Sequence, residues 1–371
     1  MQTCLTDEWM RDADGDILPV CQGEEWIQKF VNRANAGNRS WLIRNTLVVG
    51  GNKAYDCVGW LRLLTGNNTY GSGSWTQALK AALPPQALRD NDRGKHVADN
   101  QVMPCGVCGQ CKSVYPMLKE HAAYKGGQVV CVEPLPANYE VISRAAQQSG
   151  WKDALKMVQA AGSDAAGSGM TAEFPKSGYQ FGFGAEAIGI NDRTHWNGAE
   201  AQKVRLLSVD TLSDELRFVP DVLIIDAEGH DPAILAGARR TLSSARVGLL
   251  QFEVHTTGLW ASTNVSTIVT ELDKLGYTCY WSGKRYMHPV LPGQYVERQE
   301  KRKGEANIVC AHHAHAEWQH ALGDSMSQET CRCLSLEPSS RTLGTPKGQR
   351  FRLGCPRAPQ HHFQAKSRRY P

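Results

Sequence analysis

The chain reads as an α/β protein. Three observations predict it. Its apolar runs, such as LVVGG and VLII, are continuous rather than alternating; helical periodicity fills the stretches between them; and small or acidic residues follow each run at once. Continuous apolar strands belong to parallel sheets covered on both faces by helices. In such sheets ligands bind beyond the carboxyl ends of the strands.

The elements follow in order. EEWIQKFVNRANA has helical spacing, and NTLVVGG is the first strand. In YDCVGWLRLLTG, Val58, Leu61 and Leu64 share one helical face. Residues 65–126 are polar, punctuated by Gly and Pro, and contain the cluster CGVCGQC. GQVVCVEP is a strand, ANYEVISRAAQQS a helix that stops near Gly150, and ALKMVQAAG a third short strand. Residues 162–202 read as loops with a hairpin, and VRLLSVDTLSDEL as a strand leading into a short helix. DVLIID is followed by the helix DPAILAGARRTLSS, with Asp231 as N-cap and Pro232 at the first helical position. VGLLQFEVH is a strand, and NVSTIVTELDKLG a helix with a C-terminal glycine stop. YTCYWSG and ANIVCAH are closing strands. After residue 311 the pattern lapses into the His-rich AHHAHAEWQH and then Arg-, Pro- and Ser-rich sequence, which reads as a disordered basic tail.

With 371 residues, 41% of them hydrophobic, the chain can bury a substantial core. From residue 311 onward nine Lys and Arg stand against four Asp and Glu. The remainder is nearly neutral, which gives no electrostatic footprint for nucleic acid. No apolar run reaches membrane-span length, and MQTCLTDEWMRDADGD lacks the apolar core of a secretory signal. The expectation is a soluble, cytoplasmic protein with no membrane partner. Sequons at Asn38, Asn67 and Asn264 read as chance matches in that setting.

The residues after each strand are therefore those to read. VVGGNKAYD offers small residues that let backbone approach a ligand and a helix N-terminus beyond them. Glu133 ends the second strand, where Rossmann-like proteins hold ribose hydroxyls. Asp226, Glu228, His230 and Asp231 crowd the end of VLII, and Glu253 and His255 close VGLLQFEVH.

Taken in order, VVGGNKAYD, VVCVEPLPANYEVI, AAGSDAAG, LLSVDTL, DVLIIDAEGHDPAILAGA and FEVH resemble the FkbM family of S-adenosylmethionine-dependent methyltransferases over residues 45–310. The resemblance implies a Rossmann-like class I methyltransferase fold: a seven-stranded, mostly parallel sheet with a last antiparallel strand and helices on both faces. It implies O-methylation of a hydroxyl on a small molecule or glycan. By position, Gly50, Gly51 and Asn52 would line the methionine part of the cofactor. Glu133 would accept the ribose hydroxyls, Ala161, Gly162 and Ser163 would edge the adenine, and Asp226 would lie beside the sulfonium and amino end. The domains would be an extension over 1–43, the methyltransferase domain over 44–310 with its Cys-containing insertion at 65–126, and the tail over 311–371.

The first motif departs from the family pattern. Val48 stands where an acid usually precedes the glycine, and Ala54 where a second glycine follows. A non-catalytic relative is therefore one alternative. An oxidoreductase on the same layout is another, although GGNKAYD is not G-x-G-x-x-G. A metal-dependent transferase with Asp226 as ligand shows no evident acidic partner beside it in the sequence. The proton acceptor is sought among Glu228, His230, Glu253 and His255, since imidazoles and carboxylates can take a hydroxyl proton. An extended backbone would send Asp226 and Glu228 to the same side.

Cys105, Cys108 and Cys111 have a C-x2-C spacing open to structural zinc, with His96 or His121 as a fourth ligand, or to loop thiols. Cys57, Cys131, Cys279 and Cys310 sit in apolar contexts that suit buried thiols.

Overall fold

A computed structural model of the chain describes residues 43–65 except 53, 72–83, 127–176, 200–282, 287–292 and 306–326, with single positions at 27, 30, 33, 36 and 190 and two short strands at 343–344 and 350–351. The cluster CGVCGQC, its partners His96 and His121, the sequons at Asn38 and Asn67, and the sequence beyond 351 lie outside the described residues.

The main sheet takes β1 (Asn45–Val49), β2 (Gln128–Val132), β3 (Leu155–Val158), β7 (Val222–Ile225), β8 (Leu249–Val254), β9 (Tyr277–Ser282), β10 (Met287–Val290) and β11 (Ala306–His312). Their order is β10-β9-β11-β8-β7-β1-β2-β3. The run from β3 to β8 is parallel, β11 opposes both β8 and β9, and β10 opposes β9. The sheet thus has eight strands where seven were expected, and two of them run against the rest. The extra strand, β10, contains Pro289, which cannot donate to a ladder and so hides the strand from sequence reading; an edge position tolerates it.

The strand VRLL does not join this sheet. It forms β6 (Ala201–Leu207), parallel to β4 (Ala161–Gly162) and antiparallel to β5 (Thr171–Pro175). Its burial is patchy, with Val204 and Leu207 inward, as suits a strand covered on one face.

Successive strand residues feed opposite layers. Val48, Val129, Cys131, Val222 and Ile224 face one core with helices α1 (Tyr55–Thr65), α2 (Ser72–Ala82) and α3 (Pro136–Gln148). Leu47, Val49, Val130, Val132, Leu223 and Ile225 face the other, with α4 (Val209–Leu216), α5 (Asp231–Ala236), α6 (Arg239–Ser243) and α7 (Val265–Lys274). The helix read as DPAILAGARRTLSS is therefore two. It breaks at Gly237, where a β-carbon would stand 2.1 Å from the carbonyl oxygen of Ser163.

The tail boundary moves. β11 runs on to His312, and α8 (Ala316–Gly323) buries Trp318, Ala321 and Leu322 in the first core. Residues 311–326 are thus part of the fold and not a disordered tail. The polar His-rich onset conceals this, because His312, His313 and His315 look solvated in sequence. Here their Nε2 atoms bond Leu275 O, Thr278 Oγ1 and Ala245 O. From the other end, Ile27 and Phe30 enter the same core.

The four apolar cysteines are paired rather than free: Cys57 with Cys131, and Cys279 with Cys310. Cys279 and Cys310 are directly opposed in the β9–β11 register, and Cys57 on α1 packs onto Cys131 of β2. A strand-end context reveals burial but not which sulfur lies opposite.

Candidate active site

Strand register sets out the site. Val49 pairs with Val132 on one side and Ile225 on the other, and Ile225 pairs with Phe252. The next residues, Glu133, Gly50, Asp226 and Glu253, therefore meet along one carboxyl edge. At Gly50, with φ +98°, a β-carbon would fall 1.5 Å from Asp226 O, so no side chain fits there. Gly51 approaches Cys131 Sγ and the Glu133 side chain, and Gly50 and Gly51 both donate to Val132 O.

Ala54 ends this turn with φ +59° and Asn52 has φ +39°. The glycine usual at position 54 is thus replaced where the backbone is left-handed. Val48, in place of the usual acid, is 1% exposed and faces the α1 side of the sheet.

Glu133 is buried. Its Oε2 accepts from Asn52 N at 2.6 Å; its Oε1 accepts from Leu135 N at 3.0 Å and more weakly from Asn138 Nδ2 at 3.4 Å. Burial outweighs these bonds and raises the carboxyl to about 8. Beside it, Asn52 Oδ1 and Asn138 Oδ1 are buried with no hydrogen-bond partner. Asn138 was not singled out in the sequence. Its position in the first turn of α3, five residues after Glu133, is the signal that could have found it.

Asp226 keeps some solvent contact, yet crowding by protein and the neighbouring acids Glu253, Asp231 and Asp56 hold its carboxyl well above the usual range. A hydrogen bond to Glu253 across the strand ends raises it further. The acidic partner that sequence did not reveal beside Asp226 is thus Glu253, supplied by β8.

Glu228 has φ +51° and Gly229 φ +91°. The backbone after β7 is therefore not extended, contrary to expectation. The turn is held from outside: Leu259 N donates to Gly229 O, and Gly229 and Gly258 lie back to back, each leaving no room for a β-carbon on the other. Left-handed backbone at a non-glycine residue carries strain that surrounding contacts must hold. The turn still delivers Glu228 to the site. Glu228 Oε2 is 3.7 Å from His255 Nε2, which lies 2.5 Å from Glu253 Oε2.

Asp231 is not the helix cap. His230 occupies the cap position, and Asp231 is the first helical residue, fully buried, with neither carboxylate oxygen hydrogen-bonded. The amides of Asp231 itself, Ala227 and Glu253 lie near it without closing a bond, and His255 offers partial charge relief. Burial dominates and lifts the carboxyl to about 6.

His230 stands apart from this group. Burial lowers its pKa, and the acid that acts on it is Asp164 rather than Glu228 or Glu253. Ala161, Gly162 and Ser163 are buried where β4 meets β6 and α5; Gly162 packs against Ile234 and Val49, which explains the glycine without a ligand. Cys105, Cys108 and Cys111 lie outside the described residues.

A parallel sheet with acids ending three of its central strands, and a glycine turn wedged between two of them, defines an α/β protein built to bind at its carboxyl edge. Residues 108–279, a little under half of the chain, match the methyltransferase FkbM domain. Glu133, Asp226, Glu228, Glu253 and His255 fall inside the matched segment, and the turn over residues 50–54 falls before it. The match supports methyltransferase activity in general terms. No curated protein matches the chain. Among the described residues no helix is long and apolar enough to cross a membrane.

Proposed function

We propose that the chain methylates a hydroxyl oxygen of a small molecule or glycan, using S-adenosylmethionine. The observation that carries this reading is the placement of two acidic groups on either side of one glycine turn. Glu133 flanks it on β2, and Asp226 with Glu253 flanks it on β7 and β8. The residues suit the cofactor. Two orphaned amide oxygens, on Asn52 and Asn138, border Glu133. Ribose hydroxyls are donors that those acceptors and the carboxylate can share.

When bound, S-adenosylmethionine supplies an electrophilic methyl group on a sulfonium. Gly50, Gly51 and Asn52 present backbone to its methionine part, Glu133 orients the ribose, and Asp226 faces the cationic end. Ala161, Gly162 and Ser163 would edge the adenine. On the acceptor side, Glu228, Glu253 and His255 would be the groups placed to accept the proton of the hydroxyl that is methylated.

Calorimetry with S-adenosylmethionine, with NAD as the contrast, tests the reading. At pH 9, above the Glu133 pKa of about 8, Glu133→Ala should weaken S-adenosylmethionine binding by about 1.5–3 kcal/mol, the scale of hydrogen bonds to a charged group. Tighter binding of NAD would reject it. A second reading, a relative that has lost the cofactor, is favoured by buried Val48 and left-handed Ala54. It predicts no heat with either ligand.

A further inference from the structure

Four carboxyl groups, Asp226, Glu228, Asp231 and Glu253, gather around one imidazole, His255, at the ends of β7 and β8. Ligand atoms of Glu228, Glu253 and His255 all lie within 4.8 Å of one another. Donors on one first-row ion, each about 2.0–2.2 Å from it, stand roughly 3–4.4 Å apart, so small side-chain shifts would bring these three onto a shared centre.

An independent observation points the same way. Asp231 is fully buried beside His255 and Asp226, and both its carboxylate oxygens lack hydrogen-bond partners. A buried anion without hydrogen-bond partners is costly, and a cation held beside it would offset that cost. The strained Glu228–Gly229 turn, pinned by Gly258 and Leu259, is the device that brings the third ligand in.

We propose that Glu228, Glu253 and His255 hold a divalent cation of borderline hardness, of the Mn2+, Fe2+ or Zn2+ class, at the acceptor side of the site. One imidazole with two carboxylates suits these ions better than Mg2+ or Ca2+, which favour all-oxygen shells. Asp231 lies behind the ligands as a balancing charge, and Asp226 hydrogen-bonds the ligand Glu253 from the cofactor side. Such an ion would lower the pKa of a hydroxyl oxygen placed on it, and with the three residues engaged as ligands the proton would pass to solvent instead of to them. This rests on the transferase reading for its chemical purpose, but not for the existence of the site.

The test uses the full chain, treated with chelator and titrated with Mn2+ alone, which thiols such as those of CGVCGQC bind poorly. Calorimetry should show one equivalent bound. Electron spin-echo spectra should show coupling to one imidazole nitrogen. Glu253→Gln and His255→Ala should each weaken Mn2+ by at least about tenfold, the loss already seen when only an outer partner of a ligand is removed. His255→Ala should also abolish the nitrogen signal while leaving His312, His313 and His315 in place. Absence of stoichiometric binding, or of nitrogen coupling, in the parent chain overturns the proposal even if a variant fails to fold. S-adenosylmethionine titrated in parallel separates the two readings. Cofactor binding without Mn2+ binding rejects only the metal site, and Mn2+ binding without cofactor binding rejects only the transferase.

Discussion

Phe30 stacks on Trp318 with ring centroids 3.5 Å apart and planes within 6° of parallel. Residues from the two ends of the chain thus complete one core, and an ion pair between Arg33 and Asp324 lies beside them.

A chain ended at residue 310 should therefore fail to fold cooperatively. It loses the last residues of β11 and the burial of Trp318, Ala321 and Leu322, which contributes on the order of 5 kcal/mol. That is comparable with the total stability of a domain, about 5–15 kcal/mol. A chain ended at 326 should keep a sharp denaturant transition, and Trp318→Ala within it should cost about 3–5 kcal/mol. Equal midpoints for the two truncations would show that α8 is dispensable.

Ala54 should tolerate glycine unusually well. A buried Ala→Gly change in right-handed backbone costs about 1–2 kcal/mol through chain entropy and a lost methyl. Left-handed strain of about 1–2 kcal/mol is released in return. Ala54→Gly should fall within about 0.5 kcal/mol of the parent, whereas β-branched Ala54→Val should be clearly destabilised. A full penalty for glycine in urea melts would contradict the φ of +59°.

Restoring the family's acid should not help. Val48 belongs to the core layer shared with α1, paired in register with Cys131 and Ile224, two residues before the edge where Asp226 and Glu133 lie. Val48→Asp should lose at least about 3 kcal/mol by burying an unpaired carboxylate. It should gain no affinity for S-adenosylmethionine by calorimetry. Tighter binding would mean that this side of the sheet opens to the ligand.

Asp231 makes the fold sensitive to pH. Its folded carboxyl sits at about 6, above an unfolded value near 4. The folded state therefore favours the protonated form. The penalty is absent below about pH 4, grows between pH 4 and 6, and is complete above, where it amounts to about 3 kcal/mol. In the presence of chelator, Asp231→Asn should match the parent near pH 4 and exceed it at pH 7. Guanidinium midpoints at the two pH values measure this, and a larger gain at pH 4 would reverse the sign.

The strands and their terminal acids were legible because both signals are local. VLII is continuous and apolar, and the residue that follows a parallel strand is at the ligand edge wherever the strand sits. Pairing was not legible. Asp226 meets Glu253 only through the β7–β8 register, and Cys279 meets Cys310 only through β9–β11. Asp231 before Pro232 has the sequence of a helix cap. Its side chain is instead fully buried near Asp226 and His255, which come from the ends of β7 and β8. In the same way His312, His313 and His315 look solvated until β9 and the segment around Ala245 supply their partners.

The bond between Cys57 and Cys131 closes a ring that encompasses the whole insertion, including CGVCGQC. A protease cut anywhere between residues 66 and 126 therefore leaves two polypeptides still joined through Cys57 and Cys131. They would migrate as a single species without reductant and separate once it is added. Because the entropy of closing a ring rises only with the logarithm of its length, the segment between the two sulfurs can lengthen or shorten at little thermodynamic cost to the sheet that carries them.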